Sequence, residues 1–174
     1  LSARGLQGAG VAHRKEVDLP WLAGAGGRII VNVSGHSIEE YREVIYQLED
    51  SAADAYEGNV SCPNVDAGGM TMGCDADMVF RVVAECRKAT LRPLIVKLTP
   101  NVTDITEIAK AAVAAGADAL SLINTLLGMA IDARTRRPKL ARVVGGLSGP
   151  AVKPVALRMV WECYKATTVP ILGM

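Results

Sequence analysis

Residues 59–64 read Asn59-Val60-Ser61-Cys62-Pro63-Asn64, which brings a thiol, two amides and a hydroxyl together at the predicted exit of a strand. Pro63 has no N–H and a fixed φ, so the strand must end there and Cys62 is presented at a rim. A thiol's reference pKa near ~8.5 lies within reach of proton abstraction near neutral pH. Cys62 is therefore the candidate general base. A cysteine taken alone is more commonly a small core residue. That reading fits Cys86 and Cys163, which fall in predicted helices, and Cys74, which reads as a packing residue at the start of a helix. His13 and His36 lack ligand-type neighbours in sequence and read as surface or capping residues.

The elements that must position Cys62 alternate. Strands are predicted over 28–34, 55–60, 94–98, 119–123 and 169–174, and they read as apolar throughout, as when both sheet faces are covered. Between them, Ser37-x-x-Glu40 is a capping box for a helix running to about Glu49, and Asp75 caps a helix over 76–89. Asp104 opens a helix over 105–114 that Gly116 ends. Ser148 is expected to cap a helix from Pro150 to about Thr167, after a stretch in which a short hairpin is expected around 139–144. Strand–helix alternation means a parallel sheet with right-handed crossovers, either doubly wound or closed into a barrel. Asn32, Asn59, Lys97 and Asn124 each sit in or at the end of a different strand, and barrel enzymes place their chemistry on that rim. No G-x-G-x-x-G turn is present, so the expected fold is α/β, a (β/α)8 TIM barrel. A complete barrel needs roughly 250 residues, so these 174 should supply about five of its eight strands as one domain truncated at both ends. Leu1 at the start and the apolar Pro170–Met174 at the end fit that expectation.

Bulk properties narrow the class. Half of the residues are apolar, only 4% are aromatic, and the net charge of +1 gives no basic field for nucleic acid. The short cluster Arg134, Arg136, Arg137, Lys139 reads as a solvated loop. No apolar run reaches the length of a membrane span, and no signal peptide is visible. The four cysteines show no C-x-x-C spacing, which speaks against a zinc site or a disulfide framework and for a reducing, cytoplasmic setting. The run 145–149, Gly-Gly-Leu-Ser-Gly, is a Gly-rich loop before a helix, a weak signal for an anion or a planar ring.

Four segments carry a resemblance over essentially the whole chain: NVSCPN at 59–64, VKLTPNVTDI at 96–105, INTLLGM at 123–129 and GGLSGPAVKPVALRMV at 145–160. Together they closely resemble the catalytic subunits of dihydroorotate dehydrogenases, and most of all the class 1B, NAD-linked type. The resemblance implies a barrel that holds FMN at its C-terminal mouth and oxidises dihydroorotate to orotate in pyrimidine biosynthesis. It implies Cys62 as the base for the C5 proton while hydride leaves C6 for the flavin. It implies Ser2, Ala3, Arg4, Gly5, Leu6, Asn59, Asn64, Asn124 and Thr125 around the substrate, and Asn32, Asn59, Lys97, Ile123 and Gly149 around FMN. It also implies a homodimer of catalytic subunits and a partner subunit carrying FAD and an iron–sulfur cluster, which passes electrons to NAD. Ser2 and Arg4 depart from the family's Asn-x-x-Gly-Leu pattern: Ser2 lacks the amide, and Arg4 is charged where the family is apolar. Two other readings are an enzyme like dihydropyrimidine dehydrogenase, with its acid–base cysteine near Cys74, and an inactive fragment. Five strands leave two open sheet edges. The 174-residue piece expressed alone is therefore expected to aggregate and not retain FMN, and a soluble, yellow monomer on gel filtration would contradict this.

Overall fold

A computed structural model of the chain describes residues 1–2, 8–61 and 72–174. Helices α1 (Val11–His13) and α2 (Leu19–Ala23) flank a π-helical turn, Arg14–Asp18. The repeating part follows: β1 (Ile30–Val33), α3 (Ile38–Leu48), β2 (Ala55–Gly58), α4 (Ala76–Ala89), β3 (Leu94–Lys97), α5 (Ile105–Ala114) and β4 (Ala119–Leu122). Four short strands, β5 (Leu126–Met129), β6 (Ile131–Asp132), β7 (Arg137–Pro138) and β8 (Val144–Leu147), precede α6 (Lys153–Ala166) and β9 (Ile171–Gly173).

The main sheet is parallel and five-stranded, in the order β1-β2-β3-β4-β9. That order never reverses. Right-handed crossovers that always step in one direction must put every helix on the same face, whereas a doubly wound sheet reverses at a switch point. The helices accordingly pack on one another in chain order, α3 on α4, α4 on α5 and α5 on α6. The arrangement is an arc of a (β/α) barrel, as the alternation and the polar strand ends led one to expect.

Register separates the two faces. Val33, Tyr56, Leu94, Val96, Leu98, Leu120 and Leu122 point to the helices and join their apolar sides in one core, none more than 1% exposed. The alternate positions form side-by-side rows on the other face: Asn32, Glu57, Ile95 and Ala119 in one, Lys97, Ser121 and Leu172 in the next. The expectation that the strands are apolar on both faces is corrected here, because the concave face carries hydrogen-bonded polar groups.

The caps show how the sequence starts its helices. Ser37 Oγ accepts from the Glu40 N–H at 3.2 Å, while the Glu40 carboxylate accepts from His36 N–H at 2.6 Å. Asp75 accepts from Met78 N–H at 2.7 Å, and Asp104 from Thr106 N–H at 2.8 Å. Gly116 ends α5 at φ 107°, where a side chain would be strained. Two expectations fail. Ser148 does not cap: Gly149 precedes a 3-10 turn, Pro150–Val152, and α6 starts at Lys153 without a side-chain cap. Pro150 and Pro154 bring no N–H to these first turns, which lessens what a cap would have to satisfy. The hairpin expected at 139–144 is instead a longer excursion in which β5 pairs with β8 and β6 with β7. Its turn is set by Asp132, whose carboxylate accepts from the N–H groups of Arg134 and Thr135.

At the N-terminal end of the sheet, charged side chains satisfy loop backbone. Arg87 donates to the carbonyls of Thr90 and Arg92 and to Asp118, whose carboxylate also accepts from Leu94 N–H at 2.8 Å. Asp54 accepts from Ile29 N–H at 2.7 Å and from Arg28. That backbone bond first, and Arg28 second, hold the Asp54 carboxyl below its usual value. A carboxylate with a depressed native pKa contributes stability above its unfolded pKa, near ~3.9, and loses it as pH falls through the native value. Asp54→Asn should therefore be less stable than wild type at pH 7, with the difference closing below about pH 4; denaturant melts across that range would show whether the gap instead stays constant.

Candidate active site

The C-terminal ends of β2 and β4 meet through two amides. Asn59 follows β2 directly: its N–H donates to the Val33 carbonyl at 2.8 Å, and its carbonyl accepts from the Tyr41 hydroxyl at 2.7 Å. Its side-chain oxygen accepts from Asn124 Nδ2 at 3.3 Å. Asn124 follows β4, donates its own N–H to the Leu98 carbonyl at 3.1 Å and accepts from Thr125 N–H at 2.8 Å. Asn59 is 7% exposed and Ile123 8%, so the pair stands on a packed base.

Next to it, three segments far apart in sequence converge. Ser2 and Gly146 exchange backbone hydrogen bonds, at 2.9 and 2.7 Å. A Cβ on Gly146 would strike the Thr125 side chain, so only glycine lets Ser2, Gly146 and Thr125 lie in one layer. Asn101, in the loop after β3, donates to the Thr125 carbonyl and to Thr99 Oγ1, each at 3.0 Å, and accepts from Leu127 N–H at 2.8 Å. It fixes the exit of β4 and the start of β5 together.

Deeper on the concave face, Glu57 takes hydrogen bonds from Asn32 Nδ2 and from Ser121 Oγ, the latter at 2.6 Å. Lys97 pairs in register with Ser121 and places Nζ 3.2 Å from Met174 Sδ. Gly149 lies at the exposed exit of β8 with φ 90°. Neither Lys97 nor Gly149 is hydrogen-bonded to the amide pair.

Cys62 and Asn64, with Ala3, Arg4, Gly5 and Leu6, lie outside the described residues. The flanks of 62–71 are described and touch: a Cβ on Gly73 would meet the Val60 carbonyl oxygen at 2.5 Å. Ser61, 4% exposed, has a hydroxyl without a hydrogen-bond partner among the described residues. Cys74 Sγ donates to the Asn101 carbonyl at 3.4 Å, beside the start of α4, as a packing residue would. Burial pushes the Cys86 thiol up to about 12 and the Cys163 thiol to about 11, which keeps both protonated and unsuited to act as bases near neutral pH. His13 sits 3.6 Å from Asp18 on the surface, and His36 is exposed beside the α3 cap. Arg134, Arg136, Arg137 and Lys139 are all exposed, as a solvated cluster requires, but Arg137 belongs to β7 and not to a loop. Among the described residues no helix is long and apolar enough to cross a membrane, and no group of His, Cys, Asp and Glu is arranged to hold a metal.

The dihydroorotate dehydrogenase family model matches residues 1–174. The chain belongs to the dihydroorotate dehydrogenase family. It is 57% identical over 174 residues to a protein of Alkaliphilus metalliredigens named dihydroorotate dehydrogenase B (NAD(+)), catalytic subunit, covering all of this chain and 58% of that one. Proteins with the same name from Alkaliphilus oremlandii and Geotalea uraniireducens are 56% and 51% identical, again over the whole of this chain and 58% and 57% of theirs. The chain thus spans under two thirds of the length of these relatives. The dihydroorotate dehydrogenase fold is a TIM barrel, and the five-stranded arc is part of it.

Sequence reasoning overlooked Glu57, Ser121 and Asn101. The signal for Glu57 was present: a carboxylate inside Ala55-Tyr56-Glu57-Gly58 is as unexpected in a covered strand as Lys97. Asn101 loses its acceptor, donor and packing roles together in Asn101→Ala. That variant should lose about 1–3 kcal/mol of stability, and hydrogen exchange at the Leu127 amide should speed up; an unchanged Leu127 rate would show that the start of β5 is held by something else.

Proposed function

We propose that the protein containing this chain oxidises dihydroorotate to orotate with FMN, in de novo pyrimidine biosynthesis. The observation that carries this reading is the meeting of Asn59 and Asn124 on the C-terminal rim of the arc, with Thr125 and Ser2 beside them, in a chain of this family. Dihydroorotate is a ring of alternating N–H and C=O groups with a carboxylate. Neighbouring amides and a hydroxyl match such a ring, whereas an apolar pocket or a metal-ligand set does not.

Asn59, Asn124, Thr125 and Ser2 orient the substrate, with Asn64 and the segment Ala3, Arg4, Gly5, Leu6 completing its surroundings. Arg4 supplies a positive charge suited to the carboxylate. Cys62 takes the C5 proton. In sequence it follows Asn59 by three residues, and general-base catalysis needs the base within hydrogen-bond reach of the proton it takes.

The concave face also fits a flavin. Asn32, Asn59 and Lys97 offer donors and acceptors along one side of the arc, and Ile123 and Gly149 supply apolar and backbone surface near its rim. When bound there, FMN supplies a two-electron acceptor for the hydride leaving C6. The Lys97 ammonium stabilises negative charge that develops on the ring system. Onward transfer to NAD through a partner subunit with FAD and an iron–sulfur cluster, a homodimer of catalytic subunits and a cytoplasmic location complete the proposal. The relatives' name, catalytic subunit, supports the existence of a partner.

The rival reading, a dihydropyrimidine dehydrogenase-like enzyme using Cys74, is disfavoured by the bond from Cys74 to the Asn101 carbonyl. Anaerobic bleaching of the flavin absorbance in the full-length protein separates the two. Dihydroorotate should bleach it, dihydrouracil should not, and Cys62→Ala should slow bleaching by roughly 10²–10⁴-fold while Cys74→Ala changes it only a few-fold. Bleaching by dihydrouracil alone, or greater sensitivity to Cys74→Ala, would overturn the proposal.

A further inference from the structure

Glu57 is a half-buried carboxylate in the middle of β2, on the concave face. Carboxylates are almost never buried without a partner, yet it has no ion-pair partner among the described residues. Both its oxygens are held by neutral donors on other strands: Oε2 by Asn32 Nδ2 from β1, Oε1 by Ser121 Oγ from β4 at 2.6 Å. Ser121 is fully buried, so its hydroxyl is committed to this bond, whereas Asn32 is exposed on the face where a ligand would lie.

An ionised carboxylate only accepts hydrogen bonds. Asn32 must therefore turn its NH2 inward to Glu57, and its amide oxygen, which accepts nothing among the described residues, is left for a ligand. Without the carboxylate either end of the amide could face outward.

We propose that Glu57 is a positioning residue: it fixes Asn32 as an acceptor, and so selects a ligand ring edge that presents an N–H. The inference rests on the flavin reading above, in which that edge is the imide N–H of the isoalloxazine pyrimidine ring. Glu57 acts through Asn32 and touches no reacting atom.

The test uses the full-length protein stripped of flavin, with FMN and N3-methyl FMN titrated separately and binding followed by flavin fluorescence. Wild type should prefer FMN by about tenfold, the worth of one neutral hydrogen bond. Glu57→Gln, which can both donate and accept, should reduce the preference to nearly none by weakening FMN while leaving the methylated analogue within about twofold. In an Asn32→Ala background the same substitution should change nothing further. Glu57→Asp withdraws the carboxylate by one methylene and should give an intermediate preference, which keeps the test open should Glu57→Gln fail to fold. Equal weakening of both flavins, or an effect that persists without Asn32, would assign Glu57 a general structural role and overturn the inference. A wild-type protein that binds neither flavin would remove the flavin reading itself, and this inference with it.

Discussion

Every feature of the site depends on helices covering one face of the sheet and not the other. Five parallel strands laid down in chain order, each crossing over with the same hand, leave no alternative. The covered face is filled by large aliphatic residues and Tyr56, and it supplies the hydrophobic driving force. Burial pushes the Tyr56 hydroxyl up to about 12, so it stays neutral in that layer. The uncovered face is thereby released from core packing and can carry Asn32, Glu57, Lys97 and Ser121. The two ends of the strands then divide their tasks. At one end Arg87, Arg92, Asp54 and Asp118 satisfy loop backbone, so that end is built for stability. At the other, side chains bond to one another and leave atoms for a ligand.

Asn59 joins these two worlds. Its backbone is part of the core, bonded to Val33 and to Tyr41 of α3, while its side chain belongs to the rim. A helix of the outer layer thus sets the position of an amide at the mouth. Asn101 plays the matching part on the other side, where one side chain ties the exits of β3 and β4 to the start of β5. Asn59, Asn101 and Asn124 are each bonded back into the scaffold at several atoms.

Much of this was legible in the residues. Ser37, Asp75 and Asp104 announce their helices because a cap is a local interaction, complete within three or four residues. Asn32, Asn59, Lys97 and Asn124 were visible because polar residues at strand ends contradict the pattern around them. The roles of Glu57 and Ser121 were not visible, since they depend on strands 64 residues apart in sequence lying close across the sheet. The excursion from β5 to β8 was misplaced for a similar reason: two of its strands are two residues long, too short for any periodicity to register. Ser148 looked like a cap on its own, but Pro150 and Pro154 left it little to do.

The pairing of Ser2 with Gly146 bears on how the molecule reaches this form. Neighbouring strands of the main sheet pair residues 24 to 51 positions apart, whereas Ser2 and Gly146 are 144 apart, with a larger loss of chain entropy on closing. The wall beside Thr125 is therefore the part of the fold that local sequence helps least. The arc, once formed, already brings these segments near one another and so lowers the entropy cost of closing this contact.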